Sequence, residues 1–227
     1  MNTSFARTAV LTVALLLGSN ALAENNNFWV GVKAGTLGIG LEGAWRALPW
    51  LDVRAGINQF DYDDTGSQAG INYDANLALD TFYASANFRF PLSPFRMTVG
   101  AFSNGNEIEL VSQDMSAYMI GDNPIPYLPS EVGTLRSSTT FESLAPYLGA
   151  GFDFEIADRF GIALDFGVLW QGDPVVTVSS DGTLQTDPGP AGIQFRDALE
   201  QERQQLENEV EDFKAYPVVS LGFNFNF

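Results

Sequence analysis

From Phe28 to the last residue, apolar and polar positions alternate with a period of two, and turn residues interrupt the alternation at intervals. This is the pattern of antiparallel strands that show one face to an apolar surrounding and the other to a polar one. Eight segments carry it: 28–36, 39–46, 51–62, 72–90, 95–111, 139–156, 160–172 and 216–227. The apolar set includes Val30, Val32, Ile39, Leu41, Trp45, Val53, Ile57, Phe82, Phe88, Met97, Val99, Leu144, Leu148, Phe154, Leu164 and Phe166. The opposite set is small or polar. In segment 72–90 the apolar phase changes between Leu79 and Phe82, which predicts a β-bulge near Asp80.

A water-soluble sandwich alternates in the same way with its apolar face turned inward, so alternation alone does not decide the surroundings. Connection lengths do. Short links ("RALPW", "FPLSPF", "IADRF") alternate with mostly longer ones near 63–71, 112–138 and 173–215, and only "TLG" breaks the rule. Short turns on one edge and long loops on the other are the membrane-barrel pattern. The expected fold is therefore all-β: an eight-stranded antiparallel transmembrane up-and-down β-barrel with one helix in the last long loop.

In such a barrel the polar set faces the lumen. Lys33, Arg46, Arg54, Arg89 and Arg96 then meet Glu42, Asp52, Asp153, Glu155 and Asp165, five charges of each sign. Eight strands leave an interior that side chains fill, so these groups are expected to pair into a plug. The helix is expected at about 191–214, where good helix formers follow "DPGP" and Phe195, Leu199, Leu206, Val210 and Phe213 fall near one face.

The first 23 residues carry a basic Arg7, an apolar run from Thr8 to Leu17 too short to span a bilayer, and Ala21-Leu22-Ala23. That order predicts a signal peptide at 1–23 and a mature domain at 24–227, exported to the cell outer membrane. No cysteine is present, so no disulfide supports the fold. Removal of Arg7 leaves 10 basic and 28 acidic residues, a net charge of −18, which should repel nucleic acid.

The chain ends "SLGFNFNF", with Leu221, Phe223, Phe225 and Phe227 on one face. Ser220, Gly222, Phe225 and the terminal Phe227 resemble the targeting signal of outer-membrane barrels that the barrel-assembly machinery reads. With the leader and the strand count, this makes the chain similar to the small eight-stranded bacterial outer-membrane barrels, the superfamily of the OmpA barrel domain, OmpX and OmpW. The resemblance covers nearly the whole mature length and lies in pattern rather than in an internal motif. Its members anchor the envelope, adhere to surfaces, resist host defences or pass small hydrophobic compounds.

Catalytic motifs fail individually. Gly38, Gly40 and Gly43 spell a dinucleotide fingerprint, but strand alternation resumes at once where a helix is required. "DTGS" after Asp63 lacks the second copy that an aspartic protease needs. Asp61 and Asp63 begin an EF-hand loop whose twelfth position is Asn72. Histidine is absent, which removes Ser-His-Asp and Cys-His sites and the usual zinc sites. No catalytic set, cofactor or metal is expected. The sequence therefore predicts a non-enzymatic envelope anchor with acidic surface loops for interaction or adhesion, the alternative being a narrow channel for small or hydrophobic solutes. Expected partners are outer-membrane lipid, lipopolysaccharide through bridging divalent cations, and the assembly machinery.

Overall fold

The computed structural model describes residues 27–68, 71–113, 117–121, 126–157 and 159–227; the expected signal peptide at 1–23 lies outside them. The described strands are β1 (Phe28–Gly35), β2 (Gly38–Leu48), β3 (Leu51–Gln68), β4 (Ile71–Arg89), β5 (Phe95–Asn104), β6 (Glu107–Ser112), β7 (Leu135–Thr140), β8 (Leu144–Ala157), β9 (Phe160–Trp170), β10 (Val175–Ser180) and β11 (Ala215–Asn226). A one-turn α1 (Pro129–Val132) precedes β7, and α2 (Pro190–Glu209) lies between β10 and β11.

Eight of these close a barrel in the order β1-β2-β3-β4-β5-β8-β9-β11, with β11 antiparallel to β1 from Trp29↔Asn226 to Gly35↔Ser220. A closed antiparallel barrel leaves no strand edge in the membrane, which lipid requires because it cannot hydrogen-bond a free backbone. Most barrel strands hold 8 to 14 residues, close to the 9–11 that cross a bilayer on a tilt. The alternation sorts as expected: Val32, Leu41, Val53, Ile57, Phe82, Met97, Leu148 and Phe166 are exposed, while Glu42, Asp52, Arg54, Asn87 and Arg96 are buried. Stacked aromatics such as Phe28–Trp45 and Trp50–Phe88 gird the lower edge, where the short turns and the C-terminus lie.

β3 and β4 are the exceptions. At 18 and 19 residues they rise roughly 25 Å past the rim, at about 3.3 Å per residue. Above the rim β4 changes partner: Thr81–Arg89 pair with β5, whereas Tyr73–Ala78 pair with β6. At the fork Gly105 N donates to Asp80 O at 2.8 Å. β6, β7 and β10 then extend β3–β4 into a five-stranded sheet outside the barrel.

Three sequence expectations need correction. Segments 95–111 and 139–156 are each two strands, broken at Gly105–Asn106 and Phe141–Ser143, because their outer halves leave the barrel for the sheet above it. The helix ends at Glu209, and a 3-10 turn covers Glu211–Lys214. The bulge near Asp80 is absent: β3 and β4 pair without a register shift from Leu51↔Phe88 to Gln68↔Ile71. What changes at Asp80 is the surroundings. From Tyr73 to Asn87 the odd residues of β4 share one face, which meets a polar lumen at Thr81, Ser85 and Asn87, while above the rim Leu79 is buried and Tyr73 enters an apolar core. The apolar phase flips while the backbone stays regular.

That second core gathers Tyr73, Tyr118, Ile120, Tyr127, Val132, Leu135, Leu184, Phe195, Ala198 and Leu199. It joins α2, with Phe195, Leu199 and Leu206 buried and Phe213 left outside, to the inner face of the sheet. The described parts of the long connections thus fold as a cap.

Candidate functional site: a filled lumen beneath an acidic cap

The lumen is built in layers. At the bottom Asp52 receives Arg46 (3.4 Å) and Arg89 (2.9 Å). Asp153 receives Arg54 (3.1 Å), Arg89 (3.3 Å) and Arg96 (3.0 Å), and Arg96 also meets Asp165 at 2.5 Å. Arg96 Nη1 further donates to Asn87 and Thr98, and Arg54 lies 4.6 Å from the centre of the Trp29 ring. Planar guanidinium groups that donate to several carboxylates and stack on an aromatic suit such a cluster better than lysine does.

The one lysine sits higher. Lys33 Nζ donates to the Tyr83 hydroxyl at 2.7 Å and lies 3.6 Å from Glu42, and the Tyr83 hydroxyl in turn donates to Glu42 Oε2. Arg54 Nη1, at 4.0 Å from Glu42, links this group to the layer below. Of the ten charged residues expected in the lumen, the structure brings nine into one network. Glu155 stands apart, exposed at the lower mouth with no ion pair among the described residues.

Above the ions lies a layer that sequence reasoning missed. Tyr83 stacks on Phe102 at 4.8 Å between centroids, Phe102 meets Tyr147 at 5.3 Å, and Leu37, Ala145, Leu169 and Val218 close around them. Strand parity held the signal: Phe102 shares the face of Arg96 and Thr98, Leu169 that of Asp165, and Val218 that of Ser220. At the upper rim Gln171 accepts from Asn106 (3.1 Å) and Asn104 (3.4 Å), and donates to Phe213 O at 2.9 Å. The space left in the lumen is two small cavities of about 30 Å³ each, one among Lys33, Glu42, Arg54, Asn87 and Tyr147 and one below it among Trp29, Arg46, Arg89, Asp153 and Asn224, each of about the size of a water.

Two glycines make this filling fit. A Cβ at Gly56 would stand 2.7 Å from the Tyr83 ring, and one at Gly151 would stand 2.8 Å from the Arg96 guanidinium carbon. The large lumen side chains lie flat against wall positions that have no side chain of their own.

The cap carries the charge. Residues 60–80, 105–143 and 171–214 hold 21 of the 28 acids and four of the 11 bases. Asp61, Asp63, Asp74, Asp80, Glu107 and Glu109 share the outer face of its sheet by register, against Arg136. Hydrogen bonds from Arg203 and Gln204 lower the Glu200 carboxyl to about 2. Burial pushes the Glu202 carboxyl above its usual range. Among the described residues no group of three or more carboxylates is gathered closely enough to hold a metal ion, including the EF-hand-like stretch at Asp61 and Asp63.

Ser220 and Gly222 face the lumen, and Leu221 and Phe223 face outward. Phe225 packs edge-on against Phe160 and Phe227, each at 5.4 Å, and Phe227 N donates to Phe28 O. Of the expected assembly residues, Phe225 and Phe227 therefore lie at the lower edge, whereas Gly222 and Ser220 stand higher on the seam strand, Ser220 paired with Gly35 at the upper end of β1.

No protein-family model matches the chain, and no curated protein does. Solved structures do. Acinetobacter baumannii CarO2 superposes with a TM-score of 0.57 at 20% identity, over 88% of this chain and 98% of that one. CarO of the same organism gives 0.55 at 22% identity, over 88% and 97%. The chain shares the fold of these outer-membrane barrels, as the alternation and connection lengths predicted.

Proposed function

We propose that the protein is a non-conducting, non-enzymatic integral outer-membrane barrel that anchors an acidic cap on the cell surface for interaction or adhesion. The filled lumen carries this reading. An ion network bridged from wall to wall, an aromatic layer above it and residual cavities of only about 30 Å³ each support a plugged barrel. The apolar outer belt suits lipid, and the short-turn edge suits the periplasmic side.

On this reading the exposed acids of the cap face lipopolysaccharide phosphates, and divalent cations bridge the two. Ser220, Gly222, Phe225 and Phe227 serve the barrel-assembly machinery. Trypsin added to intact cells tests the display: cleavage after the exposed-side cap bases Arg203 or Lys214, with the barrel retained in the membrane, is expected. Cleavage only after lysis would contradict it.

A further inference from the structure

Glu202 is the anomaly of the cap. It lies on α2 between Leu199 and Leu206, it is 2% exposed, and its described hydrogen bond comes from the backbone N–H of Gly121 at 3.1 Å. The contact is tight from the other side as well. Gly121 takes φ +61, and a Cβ there would stand 2.8 Å from Ala198 O.

Among the described residues no cation pairs with this carboxylate. Neither Lys nor Arg occurs between Arg54 and Arg89 or between Arg96 and Arg136, so the upper half of β4 and the stretch 113–121 supply none. β10 and the 3-10 turn Thr183–Gln185 contain no titratable residue. On α2 itself Arg196 donates to Leu184 O, Gln185 O and Asp187 O, Arg203 is held by Glu200 (2.8 Å) and Glu207 (2.7 Å), and Lys214 beyond it by Asp173 and Glu211, both at 2.9 Å. The groups that bear on Glu202 are the phenol of Tyr73 across the core and the carboxylate of Glu209 on its own helix; Tyr118 lies in the same core. None of them neutralises it.

We propose that Glu202 is a protonation latch: as the neutral acid it holds α2 on the 118–121 segment and β4, and its ionisation loosens α2 from the cap. A buried carboxylate with no counter-ion is costly, whereas the neutral acid keeps the Gly121 contact without that cost. The sign follows. Burial raises the carboxyl's pKa in the closed cap above its value in the opened cap. The closed cap gains stability that is complete below the open-state pKa and is lost as pH rises through the closed-state pKa. Opening would bare Phe195, Leu199, Tyr118 and Tyr127, an apolar surface hidden in the closed form.

Hydrogen exchange on the full mature protein in micelles, corrected for the intrinsic pH dependence of exchange, tests this. Protection of α2 and residues 118–121 should fall as the pH is raised from 5 to 8, by about tenfold for each unit by which the closed-state carboxyl lies above the starting pH, while the barrel strands do not change. In Glu202→Gln, which keeps size and hydrogen bonding, protection of α2 should be equal at both pH values. Equal α2 protection at pH 5 and 8 in the unaltered protein would overturn the latch. So would an undiminished pH dependence in the variant, which would place the switch elsewhere. Unchanged heat-modifiable migration of the variant establishes that its barrel is intact.

Discussion

Arg54 of β3 reaches Asp153 of β8 across the lumen, with Nη2 3.1 Å and 3.3 Å from the two carboxylate oxygens. Two strands, β4 and β5, lie between them in the wall, so the pair ties opposite sides of the barrel. Asp153 also takes Arg89 and Arg96, which makes it the acid on which most of the lower network converges. Replacement by Ala leaves three guanidinium groups short of a counter-charge. Asp153→Ala should lose about 3–5 kcal/mol in urea unfolding from lipid vesicles. A loss below about 1 kcal/mol would mean that the network contributes little.

The aromatic layer should behave as packing. Phe102→Ala removes the ring that stacks on Tyr83 and packs at a tilt against Tyr147, and should cost about 3–5 kcal/mol in the same assay. Tyr83→Phe keeps the ring and removes the hydroxyl that bridges Lys33 and Glu42, at about 1–3 kcal/mol. The order of these two losses separates packing from hydrogen bonding, and a reversed order would shift the weight to the polar bridge.

Wall glycines give a paired test. Gly151→Ala drives a methyl group toward the Arg96 guanidinium and should destabilise by about 1–3 kcal/mol. Gly43→Ala, where the nearest atom to the new Cβ is Trp29 O at 3.9 Å, should be neutral or stabilising by up to about 1 kcal/mol. Equal effects at the two positions would refute the close-approach explanation.

How much of this could be read from the chain depends on which solvent each residue meets. Alternation is a local property, and it located the barrel strands because lipid lies on one side and the lumen on the other throughout. It misled at Asp80, where the inner face of β4 passes from polar lumen to apolar cap and Leu79 takes the parity of Thr81. It merged β5 with β6 because the fork at Gly105 keeps both halves extended and changes only the partner strand. Lumen charge was legible as a set, since charged residues on a strand's polar face have nowhere else to go. Phe102, Leu169 and Val218 share the parity of Thr98, Asp165 and Ser220, so strand parity and not residue type places them in the lumen. Glu202 looked like one more surface acid on an acidic helix, and its burial depends on segment 118–121, which has no periodicity.

The cap's charge should make stability depend on divalent cations. With 21 acids against four bases outside the barrel, lipopolysaccharide phosphates are repelled unless cations bridge them. EDTA should lower the melting temperature in lipopolysaccharide-containing micelles and leave it unchanged in neutral detergent. The same shift in both media would point to a metal on the protein itself.

Single-channel recording tests the central claim most directly. The mature chain is refolded into planar bilayers, and insertion is verified by protease protection of the barrel and heat-modifiable migration. With the nine-residue ion network and the aromatic layer in place, verified insertion should give no discrete conductance steps above the bare-membrane baseline. Reproducible unitary steps from the unaltered protein would contradict the filled lumen and make the barrel a narrow channel.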